Sequence, residues 1–207
     1  MNSGDIMTAV LENGKTLEYV FDANAPRGGM KHTFFTPDRK YAVQFFNNPS
    51  DAHNPRMQDR IRSIVGIYNP TISEENGGAL GNTEKTAEYF RSRFCWPVAI
   101  VKSPEFGIVC PTYPERFFFG ADASAVLSLK GRDKKSNWFT GRNRRFLAPA
   151  ELGDFRTMLT AAIGLSRTVR RMHQAGLAHS DLSCNNVLID PKSGSAVVID
   201  IDSLVVP

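Results

Sequence analysis

The chain has 207 residues, 42% of them hydrophobic and 22% charged, with a formal net charge of +4. That is enough apolar material for a real core, as one large domain or two small lobes around a cleft, and it excludes a disordered chain. Cys95, Cys110 and Cys184 fall in no metal-ligand spacing such as CxxC, the N-terminus lacks a basic region followed by an apolar run, and no apolar stretch reaches membrane-spanning length; a soluble, cytoplasmic protein with reduced, mostly buried thiols is expected.

Residues 5 to 46 are strand-rich. IMTAV and LEYVF flank Asn13-Gly14, a pair that favours a tight hairpin, and PRGGMKHTFF and PDRKYAVQFF follow with a turn at Pro37-Asp38. Three antiparallel strands are expected there. Met57, Ile61, Ile64, Val65 and Tyr68 recur at helical spacing from Asn54 to Tyr68, and a second helix is expected over Glu84 to Phe94, with TISEENGGALGN as a loop between them. WPVAIVK and FGIVCPTY predict two more strands. The densest basic cluster, GRDKKSNWFTGRNRR from Gly131 to Arg145, reads first as a solvated loop and second as a patch for phosphates, so nucleic acid is not the expected partner.

The clearest helix runs from Asp154 to His173, with Phe155, Met158, Leu159, Ala162, Ile163, Val169 and Met172 on one face, and Gly176 stops it. VLID and SAVVIDI are then short β-branched strands around a Pro191 to Gly194 turn. This order places His179, Asp181 and Asn186 on a loop between helix and strand, and returns Asp200 beside them on the next strand. A carboxylate with a carboxamide oxygen is a hard donor set suited to Mg²⁺ completed by substrate phosphates, and a separate aspartate can accept the proton of an attacking hydroxyl.

HSDLSCNNVLID resembles the protein kinase catalytic loop HRDLxxxxN, and VVIDID resembles the strand that carries the magnesium-binding DFG aspartate. The resemblance implies Asp181 as catalytic base, Asn186 and Asp200 as magnesium ligands, and His179 as a buttress of the loop. Ser180 stands where the usual arginine would be, Ser183 where many kinases carry lysine, and Asp202 in place of the DFG glycine. The VAIK-type strand is KYAVQFF, with Gln44 at the lysine position. GGMK supplies a substitute: Gly28 and Gly29 would let the backbone approach phosphates and Lys31 would reach them, with Lys40 the weaker alternative.

Across most of its length, through RGGMK, FCWP, GIVCPTY, NRRFLAP and IDIDSLVVP, the chain resembles the bacterial kinase-like proteins of tellurium-resistance-type gene clusters. That resemblance implies an α+β, bilobal kinase-like fold with an antiparallel-sheet small lobe and the start of a helical large lobe. It implies a small lobe over 1–115, an inter-lobe basic loop region over 116–150 and a partial large lobe over 151–207, the chain being truncated after the DFG-like segment. Pro111, Thr112 and Tyr113 would lie near the adenine. The implied activity is ATP- and Mg²⁺-dependent phosphoryl transfer to serine or threonine of a protein substrate. A von Willebrand A-type protein and a serine/threonine phosphatase are the implied partners, with no membrane association. Two other functions share these motifs: a nucleotide-binding pseudokinase scaffold, and a small-molecule phosphotransferase of the aminoglycoside or choline kinase type.

Overall fold

The computed structural model describes residues 2–207, which divide into two compact units: residues up to Glu88 with Trp96–Thr112, and Tyr89–Cys95 with Tyr113–Pro207.

In the first unit, β1 (Ile6–Leu11), β2 (Thr16–Val20), β3 (Lys31–Phe35), β4 (Tyr41–Phe46), β5 (Ala99–Ser103) and β6 (Gly107–Pro111) form a closed antiparallel barrel in the order β1-β2-β3-β4-β6-β5. Residues 5 to 46 thus supply four strands where three are expected. KHTFF and YAVQFF are separate strands, turned through Thr36 to Lys40, where Arg39 takes a left-handed φ of 56°. The sheet closes because β1 also pairs with β5, Val10 opposite Ser103 and Leu11 opposite Val101, with a register shift between the two. Period-2 alternation drives Ala9, Leu11, Tyr19, Phe34, Val43, Phe45, Val101 and Val109 into the interior. Burying each large apolar member contributes about 1.5–3 kcal/mol relative to leaving it in water.

Two helices follow β4. Asn48 and Asn54 cap α1 (Pro49–Ala52) and α2 (Pro55–Val65) through their side-chain oxygens, and each helix opens on a proline whose fixed φ suits the first position. α2 buries Ile61 and Ile64. Its C-terminal end is held by Trp96, whose indole donates to the Ile64 carbonyl at 2.8 Å, and by Asn69, which donates to Val65 and Pro97. The chain passes into the second unit within α3 (Glu84–Arg91).

The second unit contains α4 (Asn137–Thr140), α5 (Phe155–Gln174), β7 (Ala178–His179), β8 (Val187–Asp190), β9 (Ser195–Val198) and β10 (Leu204–Val205). β8 pairs with β9, and β7 with β10. Asp154 and Thr157 form a reciprocal capping box at the start of α5. At its end the Gly176 N–H reaches the His173 carbonyl and the Leu177 N–H the Met172 carbonyl, a left-handed stop for which Gly176 supplies φ 75°. α5 buries Ala161, Thr168 and Met172, with Met158 and Leu165 packed beside the core. Phe155, Leu159 and Ile163 form a second apolar stripe that is 84%, 47% and 44% exposed. The 116–150 segment is well packed: Phe119, Ala123, Leu129, Phe139 and Leu147 share a core with Ala161, Val187, Ile189 and Ala196. No helix among the described residues is long and apolar enough to cross a membrane.

Candidate active site

His179, Asp181, Asn186 and Asp200 all belong to the second unit and are tied through three hydrogen-bonding connections. The Asn186 side-chain amide donates from Nδ2 to the Asp181 carbonyl at 2.8 Å and to Asp181 Oδ2 at 2.9 Å. Its Oδ1 meets no hydrogen-bond donor among the described residues and remains an acceptor. Asn186 is buried, whereas Asp181, whose carboxylate it holds, is exposed to solvent.

His179 is the second connection. The Asp181 N–H donates to Nδ1 at 3.2 Å, so Nδ1 accepts, and Nε2 must carry the proton that reaches the Ile199 carbonyl at 3.0 Å. The buried imidazole therefore clamps the loop to the residue preceding Asp200. The third connection is main-chain: the Ile199 N–H donates to the Asn186 carbonyl at 3.0 Å. Asp200 then adopts a left-handed φ of 61°, which aspartate tolerates better than most residues. Ser203 holds this turn, its N–H and hydroxyl both reaching the Asp200 carbonyl. Ser180, where the resemblance has arginine, is used locally, its hydroxyl donating to the Ser203 carbonyl at 2.7 Å.

A support absent from the sequence reading comes from residues 134–137. Ser136 donates its N–H to the Val187 carbonyl and its hydroxyl to the Cys184 carbonyl, and Asn137 Nδ2 donates to Asn185 Oδ1 at 3.1 Å. Lys134 fixes this segment from the other side: its carbonyl accepts from Ile189 N–H, and its buried ammonium lies 2.7 Å from Glu151, which Lys192 also reaches at 3.0 Å. Burial works to raise the Glu151 pKa, but the hydrogen bonds and charges of the two lysines outweigh it and hold the carboxyl below its ordinary value. Ser136 and Asn137 lie some fifty residues from the loop they brace, so only pairing of this segment with β8 could have disclosed them.

Gly28, Gly29 and Lys31 lie in the first unit, on the β2–β3 connection and the start of β3. The Gly28 N–H donates to the Lys31 carbonyl at 2.8 Å. Asn47, at the end of β4, staples the turn: Nδ2 donates to the carbonyls of Gly28 at 3.0 Å and Gly29 at 3.4 Å, and its N–H donates to the Met30 carbonyl. Lys31 is buried. Register places Lys31 opposite Phe46 and Thr33 opposite Gln44, so Lys31 and Gln44 share the outer barrel face, one pair apart on the diagonal. The Gln44 amide is already used, donating to Thr33 at 3.2 Å with the Cys110 thiol 3.8 Å from its oxygen. Lys40 is exposed and lies 3.7 Å from Asp38.

Pro111 ends β6 opposite Tyr41, and Thr112 continues this edge, its N–H on the Lys40 carbonyl and its hydroxyl on the Arg39 carbonyl. Tyr113 begins the next stretch of the second unit and stacks on Phe118 with centroids 5.3 Å apart.

Among the described residues no three His, Cys, Asp or Glu side chains form a metal-holding group. A carboxamide oxygen and one carboxylate, Asn186 and Asp200, nonetheless fit a hard cation whose remaining ligands are substrate oxygens and water.

No protein-family model and no curated protein sequence matches the chain. Among solved structures it is similar to ROP2 from Toxoplasma gondii, described as a virulence factor with a protein-kinase fold and no enzymatic activity, at 15% identity and a TM-score of 0.49, over 98% of this chain and 55% of that one. The chain thus spans about half the length of that protein.

Proposed function

We propose that the chain is a protein kinase-like, ATP-dependent phosphotransferase acting on serine or threonine hydroxyls of a protein. The observation that carries this reading is the double hydrogen bond from Asn186 Nδ2 to Asp181, which aims an exposed carboxylate while leaving the amide oxygen available. Asp181 would accept the hydroxyl proton as the acceptor attacks the terminal phosphate. His179 holds Asp181 and the Ile199–Asp200 segment in one register, and Lys31 would bring a cation to the nucleotide phosphates in place of Gln44. Magnesium, held by Asn186 Oδ1 and the Asp200 carboxylate, would offset the charge of the phosphate oxygens.

The experiment is calorimetric titration of ATP into the chain with and without Mg²⁺, beside Lys31→Ala and Asp200→Ala. Magnesium-dependent binding is expected, weakened at least tenfold in Lys31→Ala and insensitive to Mg²⁺ in Asp200→Ala. Absence of ATP binding by the folded chain would overturn the reading. The second reading, a nucleotide-binding scaffold without transfer, is favoured by the engaged Gln44 amide and by the buried Asp202 where the resemblance has glycine. It predicts ATP binding with no phosphate released to any acceptor.

A further inference from the structure

The second unit carries a basic cavity distant in sequence from His179, Asp181, Asn186 and Asp200. It has a volume of about 580 Å³ and is lined by Gly141, Arg142, Arg144, Arg145 and Leu152. Arg142–Phe146 is a 3-10 helix. With three residues per turn, Arg142 and Arg145 eclipse one another on one side, roughly 6 Å apart along the axis, and Arg144 flanks them. The three side chains are exposed, and among the described residues no carboxylate lies within ion-pair distance of any of them. Like charges at this spacing repel, and an anion placed between them removes that repulsion. Arg145 is also oriented in advance: its guanidinium stacks on the Phe146 ring, 4.6 Å from the centroid.

We propose that this cavity binds a phosphorylated polypeptide segment, the phosphoester dianion sitting between the forks of Arg142 and Arg145 with Arg144 beside them. Guanidinium groups present paired N–H donors that match two phosphate oxygens, a geometry lysine cannot supply. The volume lies within the roughly 300–1,000 Å³ of ordinary ligand pockets and exceeds what a bare phosphate needs, leaving room for the esterified side chain against Leu152. Nucleic acid is disfavoured by the aromatic groups. Single-strand binding needs free ring faces for bases to stack on, whereas Phe146 is covered by Arg145, and Trp138 and Phe139 pack against Phe119. The proposal stands apart from the phosphotransfer reading, since it uses none of His179, Asp181, Asn186, Asp200 or Lys31.

The test is fluorescence anisotropy with a labelled ten-residue peptide carrying one phosphoserine among uncharged residues, beside the same peptide unphosphorylated, on the whole chain. Expected is binding at least tenfold tighter for the phosphopeptide, lost tenfold or more in Arg142→Gln and Arg145→Gln and weakened in Arg144→Lys, with Arg167→Gln on α5 as an unchanged control. These side chains are exposed, so unaltered circular dichroism melts would confirm that the variants fold. Equal affinity for the two peptides, or an unchanged phosphopeptide affinity in the arginine variants, would overturn the proposal. So would inorganic phosphate competing as well as the phosphopeptide, which makes this a bare anion site, or a single-stranded oligonucleotide binding more tightly through the same arginines.

Discussion

Asn186 Nδ2 lies 2.8 Å from the Asp181 carbonyl oxygen and 2.9 Å from its carboxylate, so a single amide sets both the backbone and the side chain of the proposed base. Replacing Asn186 with Ala removes both bonds and the oxygen proposed for magnesium. Phosphoryl transfer should fall by roughly 10²-fold or more, because a base that is no longer held in line loses its orientational advantage. Single-turnover kinetics would measure this, and hydrogen exchange should show faster opening across 181–186. Unchanged kinetics would mean that Asn186 serves the loop's fold alone.

Asp181→Asn is the complementary change, since it keeps the shape and removes the proton acceptor. Transfer should drop by about 10²–10⁴-fold while ATP affinity stays within about twofold. A loss confined to nucleotide binding would contradict the assigned role.

His179 is buried and answers two main-chain groups, the Asp181 N–H and the Ile199 carbonyl. His179→Phe fills the volume and satisfies neither. Each unpaired buried group costs about 1–3 kcal/mol, so urea unfolding should shift to lower midpoint, and His179→Gln, which keeps polar atoms, should recover part of the loss. A midpoint equal to that of the parent would show that water replaces the ring freely.

Asn47 tests the glycine turn without touching the nucleotide itself. Its Nδ2 bonds to Gly28 and Gly29 hold the turn ahead of Lys31. If that turn cradles phosphates, Asn47→Ala should weaken ATP binding severalfold, with a smaller effect on AMP, which lacks the distal phosphates. Equal weakening for both nucleotides would place the turn elsewhere.

The parts legible in the sequence are those whose partners are near in the chain. HSDLSCNNVLID joins His179, Asp181 and Asn186 within eight residues, and Asn13-Gly14 and Gly176 mark a hairpin and a helix stop through backbone chemistry alone. Barrel closure was not legible, because the pairing of Val10 with Ser103 joins two strands that each alternate well enough to sit at an edge. Residues 131–145 were legible only in part: Arg142, Arg144 and Arg145 are exposed, as in a solvated loop, whereas Lys134 is spent on buried Glu151 and Phe139 enters the core. The bracing of Cys184 and Asn185 by Ser136 and Asn137 depends on that same packing.

The Lys134–Glu151 pair makes this dependence measurable. The Lys134 side chain is 5% exposed and that of Glu151 10%, at a separation of 2.7 Å. Removing one partner leaves the other charge uncompensated in a poorly solvated site, so Glu151→Gln should cost about 3–5 kcal/mol at neutral pH. The pH dependence has a definite sign. The Glu151 carboxyl is held below its ordinary value in the folded chain, so near pH 4 the unfolded chain binds more protons. The pair's stabilisation is therefore complete above the ordinary carboxyl pKa of 4.5 and is lost as pH falls through the lower folded value. Urea midpoints from pH 7 to pH 3 should fall more steeply for the parent than for Glu151→Gln, the two curves converging at the acid end. The double change Lys134→Met with Glu151→Leu, which removes both charges and keeps the volume, should recover much of the neutral-pH loss. Parallel curves for parent and Glu151→Gln would show that Glu151 is not the group whose protonation opens this segment.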